Sequence, residues 1–197
     1  VDATTGTPTG TVTIREGAAV IGSCTLAAGR CDVTTATLTV GDHGLIATYA
    51  TDGNFAASAS STLTQTIVAN GTTTTLTAIP SASSFGQTVR FRVAVASTTG
   101  VPTGTVSVSV DGSLLSGCTL AAGTCDVTTA TLSVGSHDIT ASYAGTGNYL
   151  ASDASAISIT VGRATTTTSI ASSANPSTVG ATTTFTVTVD TTTGVPG

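Results

Sequence analysis

Lysine, methionine and tryptophan do not occur among the 197 residues. Charged side chains make up only 8% of the chain, where about a quarter is usual. The five basic residues are all arginine and stand against ten acidic ones, for a net charge of −5. That balance excludes the basic face a nucleic-acid binder needs. Without lysine, no Lys–Asn isopeptide crosslink can form within the chain. Aromatic residues are 4%. No apolar run approaches the roughly 18 residues needed to span a membrane, and no signal peptide is visible. The chain therefore reads as a mature fragment or an internal window of a longer one. What is abundant is threonine (47), serine (22) and glycine (22), within a composition 40% hydrophobic. Such a chain favours strands over helices and has a core to bury.

The dominant pattern is a repeat, and repeats are sought before local structure. Cys24–Leu38 returns almost unchanged as Cys118–Leu132, 94 residues on. Aligned at that offset without a gap, residues 1–70 match residues 95–164 at 35 of 70 positions. A third copy begins near the C-terminus, where Ser83–Gln87 returns as Ser177–Ala181. The sequence from Val189 to Gly194 restates that from Val1 to Gly6, so both ends fall at the same phase of the repeat. Three segments follow: residues 1–70, a module lacking its first two strands; residues 71–163, an uninterrupted module; and residues 164–197, the first two strands of a further one.

Alternation of apolar and polar residues marks the strands. In Val89–Val95, Val89, Phe91, Val93 and Val95 face one way and Arg90, Arg92 and Ala94 the other. Phe185, Val187 and Val189 repeat this pattern. Further strands are predicted over Thr73–Ile79, Gly104–Val110, Gly117–Leu120, Thr124–Leu132, His137–Ala144 and Ala156–Val161. Gly, Pro and Asn separate them. One buried and one wet face per strand predicts an antiparallel sandwich. Seven or more strands in roughly 90 residues is the count of an immunoglobulin-like one. Helices are expected to be nearly absent.

Thr72–Thr75, Pro102–Val106, Val134–Ile139 and the run from Tyr143 through Gly147-Asn148-Tyr149 recur, wholly or in part, as Pro8–Val12, His43, Tyr49 and Gly53-Asn54-Phe55. On these residues the module resembles the bacterial Ig-like domain repeats of large surface and secreted proteins. The resemblance covers the whole chain. It implies a tandem array of Ig-like β-sandwiches, used as spacers or adhesive stalks, although a fold alone does not fix a role.

Four cysteines stand in two equally spaced pairs, Cys24/Cys31 and Cys118/Cys125. A hairpin centred on Ala27-Ala28 sets Cys24 opposite Cys31 and Leu26 opposite Gly29, within disulfide reach. One disulfide per module is the reading, with reduced core thiols as the alternative. A zinc site would need two further ligands, and none lies near in sequence. Disulfides would place the protein outside the cytosol. His43 and His137 share strand faces with Tyr49 and Tyr143, and are read as inward corner residues whose imidazoles donate to a loop carbonyl. No nucleophile has a matching base and acid in both modules. Asp52 lies in a Thr-Asp-Gly-Asn loop that superficially suggests calcium, but its counterpart is Thr146 and no further carboxylates cluster there. Asp32 and Asp126 are assigned to the solvent face. Phe55 and Tyr149 are read as loop plugs, with a sugar-stacking platform as the alternative. Asn70-Gly71-Thr72 is a weak glycosylation sequon.

The sequence thus predicts a non-catalytic extracellular structural protein with no cofactor and no metal. It would be a stalk or filament of head-to-tail modules serving cell-surface attachment. Its partners would be copies of itself or adjoining modules of one long chain. The alternative is an adhesin module or an accessory domain of a secreted enzyme, binding a surface or glycan ligand; Arg15-Glu16 and Arg90/Arg92 are the only unmatched charges that could serve it. Phe185, Val187 and Val189 are expected to complete residues 1–70 of a neighbouring copy. The strands would arrive by exchange between subunits, or as the continuation of one long polypeptide.

Overall fold

The computed structural model describes residues 6–191. Sixteen strands and no helix occur among them, and the chain divides into two compact units between Ala69 and Asn70.

The first unit contains β1 (Thr11–Glu16), β2 (Ala19–Thr25), β3 (Gly41–Tyr49), β4 (Ser58–Ala59) and β5 (Leu63–Ile67). They form a single antiparallel sheet in the order β2-β1-β3-β4, with β5 also on β3. The face that alternation turns inward carries Val12, Ile14, Leu45, Ala47 and Tyr49, all only half-buried. Among the described residues of this unit His43 alone is buried.

The second unit contains β6 (Thr72–Ile79), β7 (Ala82–Ser84), β8 (Val89–Ser97), β9 (Thr105–Val110), β10 (Ser113–Thr119), β11 (Thr124–Thr129), β12 (Gly135–Tyr143), β13 (Ser152–Asp153) and β14 (Ile157–Gly162). One sheet runs β10-β9-β12-β14-β7, with β13 also on β12, and the other runs β11-β8-β6. Their inner faces close a complete sandwich, the packing that hides one apolar face of each sheet. Phe91, Val93, Val106, Val108, Ile139 and Tyr143 are 0% exposed at its centre. Each comes from the apolar register of its strand, so burial follows the period-2 pattern of the sequence.

β15 (Thr166–Ser172) and β16 (Phe185–Thr191) form a hairpin that makes a two-stranded sheet by itself. Subtracting 94 from their numbers lands on β6 and β8. The register is also the same: Thr72 faces Ser97 and Thr166 faces Thr191. In β8 the apolar side chains are buried; in β16 Phe185, Val187 and Val189 are 64%, 59% and 61% exposed. In the same way β1 to β5 are the counterparts of β9, β10, β12, β13 and β14. The all-β, tandem Ig-like architecture read from the sequence is the one observed.

Several strand limits differ from the sequence reading. β10 starts at Ser113, four residues earlier, because a register shift between Leu114 and Ser116 interrupts the alternation. β11 stops at Thr129, since its hydroxyl accepts from the Thr131 amide and turns the chain. The short β7 and β13 carry too few residues to show a period.

Candidate functional site

The chemistry-bearing side chains gather at sandwich corners and loops. His137 sits on β12 and is buried, 8% exposed. Its Nε2 donates to the Ser133 carbonyl at 2.8 Å and its Nδ1 to Asp111 Oδ2 at 2.7 Å. Both acceptors lack a proton to give, so the ring fills both bonds only as imidazolium. The Asp111 bond first, then the Ser133 bond, raise the histidine pKa. The Asp111 pKa is lowered in return, by His137 first and by the Asp138 amide second. Asp111 occupies the tight β9–β10 turn at φ 50°, followed by Gly112 at 79°, the double positive-φ turn that Asp-Gly favours.

His43 repeats the arrangement with a different carboxylate. Nε2 donates to the Thr39 carbonyl at 2.7 Å, and Nδ1 to Glu16 at 2.9 and 3.1 Å. Its pKa is raised, by Thr39 first and Glu16 next. Glu16 aligns with Val110, and Gly17 with Asp111. Each unit therefore builds the equivalent corner of its own, with the carboxylate supplied from adjacent positions of the repeat.

The tyrosines part company. The Tyr143 hydroxyl donates to the Thr103 carbonyl at 2.7 Å, tying the loop before β9 to β12. The Tyr49 hydroxyl is buried without a hydrogen-bond partner. Its pKa is raised by burial first and by the nearby Asp52 carboxylate second.

Asp52 does not stand open to a cation. It accepts from the Thr9 amide and hydroxyl at 3.1 and 2.9 Å, and from the Asn54 and Phe55 amides at 3.1 and 3.0 Å. These bonds, the Thr9 amide foremost, hold its pKa well below the usual carboxylate range. Among the described residues no group of three or more His, Cys, Asp or Glu could hold a metal. Tyr149 packs partly buried against the core, and a Cβ at Gly100 would collide with its hydroxyl. Asn70 is built into the loops, accepting from Thr99 Oγ1 at 2.7 Å. Asp126 is exposed and lies 3.9 Å from Arg90.

Cys24 is bonded to Cys31 and Cys118 to Cys125, with Cα separations of 5.8 and 5.9 Å. The hairpin geometry differs from the sequence reading. Ala27 pairs with Arg30 and Ala121 with Thr124, so the turn is centred on Ala28-Gly29, one residue later. Gly29, at φ 76°, takes the second positive-φ position, which glycine meets without strain. In this register Leu26, not Cys24, would oppose Cys31 directly. The second unit shows what the bond joins instead. Cys118 pairs across to Val106 in one sheet and Cys125 to Val93 in the other. The disulfide therefore links the two sheets where the chain crosses between them.

Glu16, Asp111, Thr103 and the loop carbonyls of Thr39 and Ser133 are corner partners that the sequence reading did not name. The Asp111-Gly112 pair between two alternating runs was the available signal. Phe185, Val187 and Val189 share one exposed face of the hairpin.

An antiparallel sandwich with histidine and tyrosine corners, an intersheet disulfide and bonded loops defines an Ig-like module, a fold that typically carries no catalysis itself. The chain belongs to the bacterial Ig-like domain family, group 3, whose model matches residues 1–68 and 76–162. It is also similar to the fibronectin(III)-like modules of Clostridium thermocellum CbhA at 21% identity, over 83% of this chain and 82% of that one, with a TM-score of 0.40. No curated protein matches it.

Proposed function

We propose that the chain is part of a non-catalytic extracellular stalk or filament, in which Ig-like modules follow one another head to tail and hold a cell surface to its attachment target. The observation that supports it is where the reactive groups are used. Both histidines, Asp52, Asp111 and all four cysteines are engaged in holding the module's own backbone or sheets. A catalytic site would need some of them convergent on a cleft. The disulfides suit an oxidising compartment, and the family belongs to bacteria by its description.

The test is immunogold labelling of intact producing cells with an antibody against the chain, joined to an assay of the purified protein on a panel of polysaccharides. Label on surface stalks or filaments, with no turnover, is expected. Label confined to the cell interior, or hydrolysis of any substrate, would overturn the reading.

A further inference from the structure

We propose that the sandwich of β6 to β14 carries tension along its length, and that the seam between its first and last segments is the latch that holds it. This deepens the stalk reading and rests on it. The chain runs on from both ends of this sandwich, so a pull on the array enters at Asn70 and leaves at Gly162. Between those points the chain lies against itself in a parallel sense. Asn70 pairs with Tyr149, and Ala82, Ser83 and Ser84 pair with Thr160, Val161 and Gly162. The residue numbers differ by 79 at the first pair and by 78 at the other three. Residues 70–85 and 148–162 therefore run side by side in one direction, although β6 belongs to one sheet and β14 to the other.

Hydrogen bonds close the seam at both ends. At the entry the Asn70 amide donates to the Asn148 carbonyl and the Leu150 amide to the Asn70 carbonyl, each at 2.9 Å. Thr72 Oγ1 donates to the Leu150 carbonyl at 2.8 Å. Thr72 and Thr74 each bond Ser152 Oγ at 2.7 Å. At the exit the Phe85 amide donates to the Gly162 carbonyl at 2.8 Å. Thr74 is 5% exposed and Val161 2%, so each end has a sheltered, low-dielectric setting in which a hydrogen bond is stronger than in water.

Direction decides what these bonds resist. Because the two segments run the same way, the entry of one and the exit of the other lie at opposite ends of the seam. A lengthwise pull slides one past the other, and the bonds at both ends take the load together. Antiparallel neighbours behave otherwise. Val134 and Arg163 flank the paired ends of β12 and β14, where Gly135 faces Val161. A pull between those two positions opens the ladder one pair at a time. Rupture under load follows the unfolding barrier and not the overall stability, so one fold has two strengths.

The experiment holds single whole chains in an optical trap by thiol-linked handles, the native disulfides being checked by peptide mapping. One chain carries Val68→Cys with Arg163→Cys, and the other Val134→Cys with Arg163→Cys. Lengthwise rupture is expected in one step, at about twice the force of the second geometry or more. Ser152→Ala should speed lengthwise rupture at fixed load by roughly tenfold, and Phe85→Pro, which removes the donor at the exit, should speed it too. Tyr143→Phe, whose bond lies off the seam, should keep that rate within about twofold of the parent while still lowering the urea midpoint. The proposal falls if the two geometries break at one force. It also falls if Ser152→Ala and Phe85→Pro leave the lengthwise rate as it was, or if Tyr143→Phe speeds it as much as they do. Equal forces in a chain that labels surface filaments would strike the seam and leave the stalk reading; a directional seam in a chain confined to the cell interior would do the reverse.

Discussion

The repeat offers an internal control that few proteins provide: one phenylalanine in two settings. Phe91 on β8 is 0% exposed at the centre of the sandwich, and Phe185 on β16 is 64% exposed. Replacing a buried Phe by Ala removes its transfer energy and leaves a cavity, about 3–5 kcal/mol in all. A unit of this size has a total stability on the order of 5–14 kcal/mol. Phe91→Ala should therefore remove about a fifth or more of the second unit's stability and lower its Tm by more than roughly 12 °C, at about 4–8 °C per kcal/mol. Phe185→Ala has little burial to lose, and in a dilute monomer should fall within about 0.5 kcal/mol of the parent. The assay is urea denaturation at low micromolar concentration, followed by the fluorescence of the three tyrosines, since no tryptophan competes. The two units are fitted as separate transitions. An equal loss from both substitutions would refute the reasoning, because Phe185 would then already be buried in the free chain. So would a loss below about 1 kcal/mol from Phe91→Ala, which no fully packed phenylalanine allows.

Three further outcomes are expected. Replacing Cys118 and Cys125 together by alanine should cost about 2–2.5 kcal/mol, the loop-closure value for a short loop, read as a shift in urea midpoint under non-reducing conditions. Tyr143→Phe orphans the Thr103 carbonyl and should cost about 1–3 kcal/mol, whereas Tyr49→Phe, which removes a hydroxyl with no partner, should be neutral or stabilising by the same measurement. The His137 pKa is raised in the folded state, so its contribution is complete below the unfolded value and is lost as pH rises through the folded one; Asp111, shifted down, contributes above its unfolded value and is lost as pH falls through its folded one. Tm followed from pH 3 to 9 should therefore be greatest between the two ranges, and His137→Gln should flatten the alkaline limb; an unchanged limb would show that the pair does not couple to folding.

Much of the fold was legible because its signals are periodic and doubled. Val89, Phe91, Val93 and Val95 alternate without a break, and each is buried. The 94-residue repeat determines which strands correspond. The corner histidines were legible as inward side chains with a carbonyl partner, but their carboxylates were not. Asp111 reaches His137 from a turn 26 residues away, and Glu16 reaches His43 from a strand end 27 residues away. No local pattern reports a contact made by tertiary closure. Nor could spacing place the disulfide turn, since either Ala-Ala or Ala-Gly could have occupied its centre. Backbone conformation decides that, and the glycine takes the positive φ.

The sharpest case is the run Cys-Asp-Val-Thr-Thr-Ala, which occurs identically at residues 31–36 and 125–130. In the second unit its first five residues are strand, hydrogen-bonded to β8 along Val89–Val93. In the first unit they form no strand. Propensity, side-chain pattern and the adjoining disulfide are the same in both places. What differs is the partner: β8 lies alongside one copy, and no described strand lies alongside the other. Strand propensity is thus a capacity to fit a pleated, half-buried surface, and it becomes structure only when that surface is supplied. The same holds for Val33, only half-buried where its twin Val127 is 5% exposed. Residues 31–35 are therefore a reporter as well as an edge. Their amides should exchange freely with solvent, while those of Cys125–Thr129 should be protected by their pairing with β8. Hydrogen exchange of the purified chain would show that contrast between residues 31–35 and 125–129. Equal protection of the two segments would refute the reasoning.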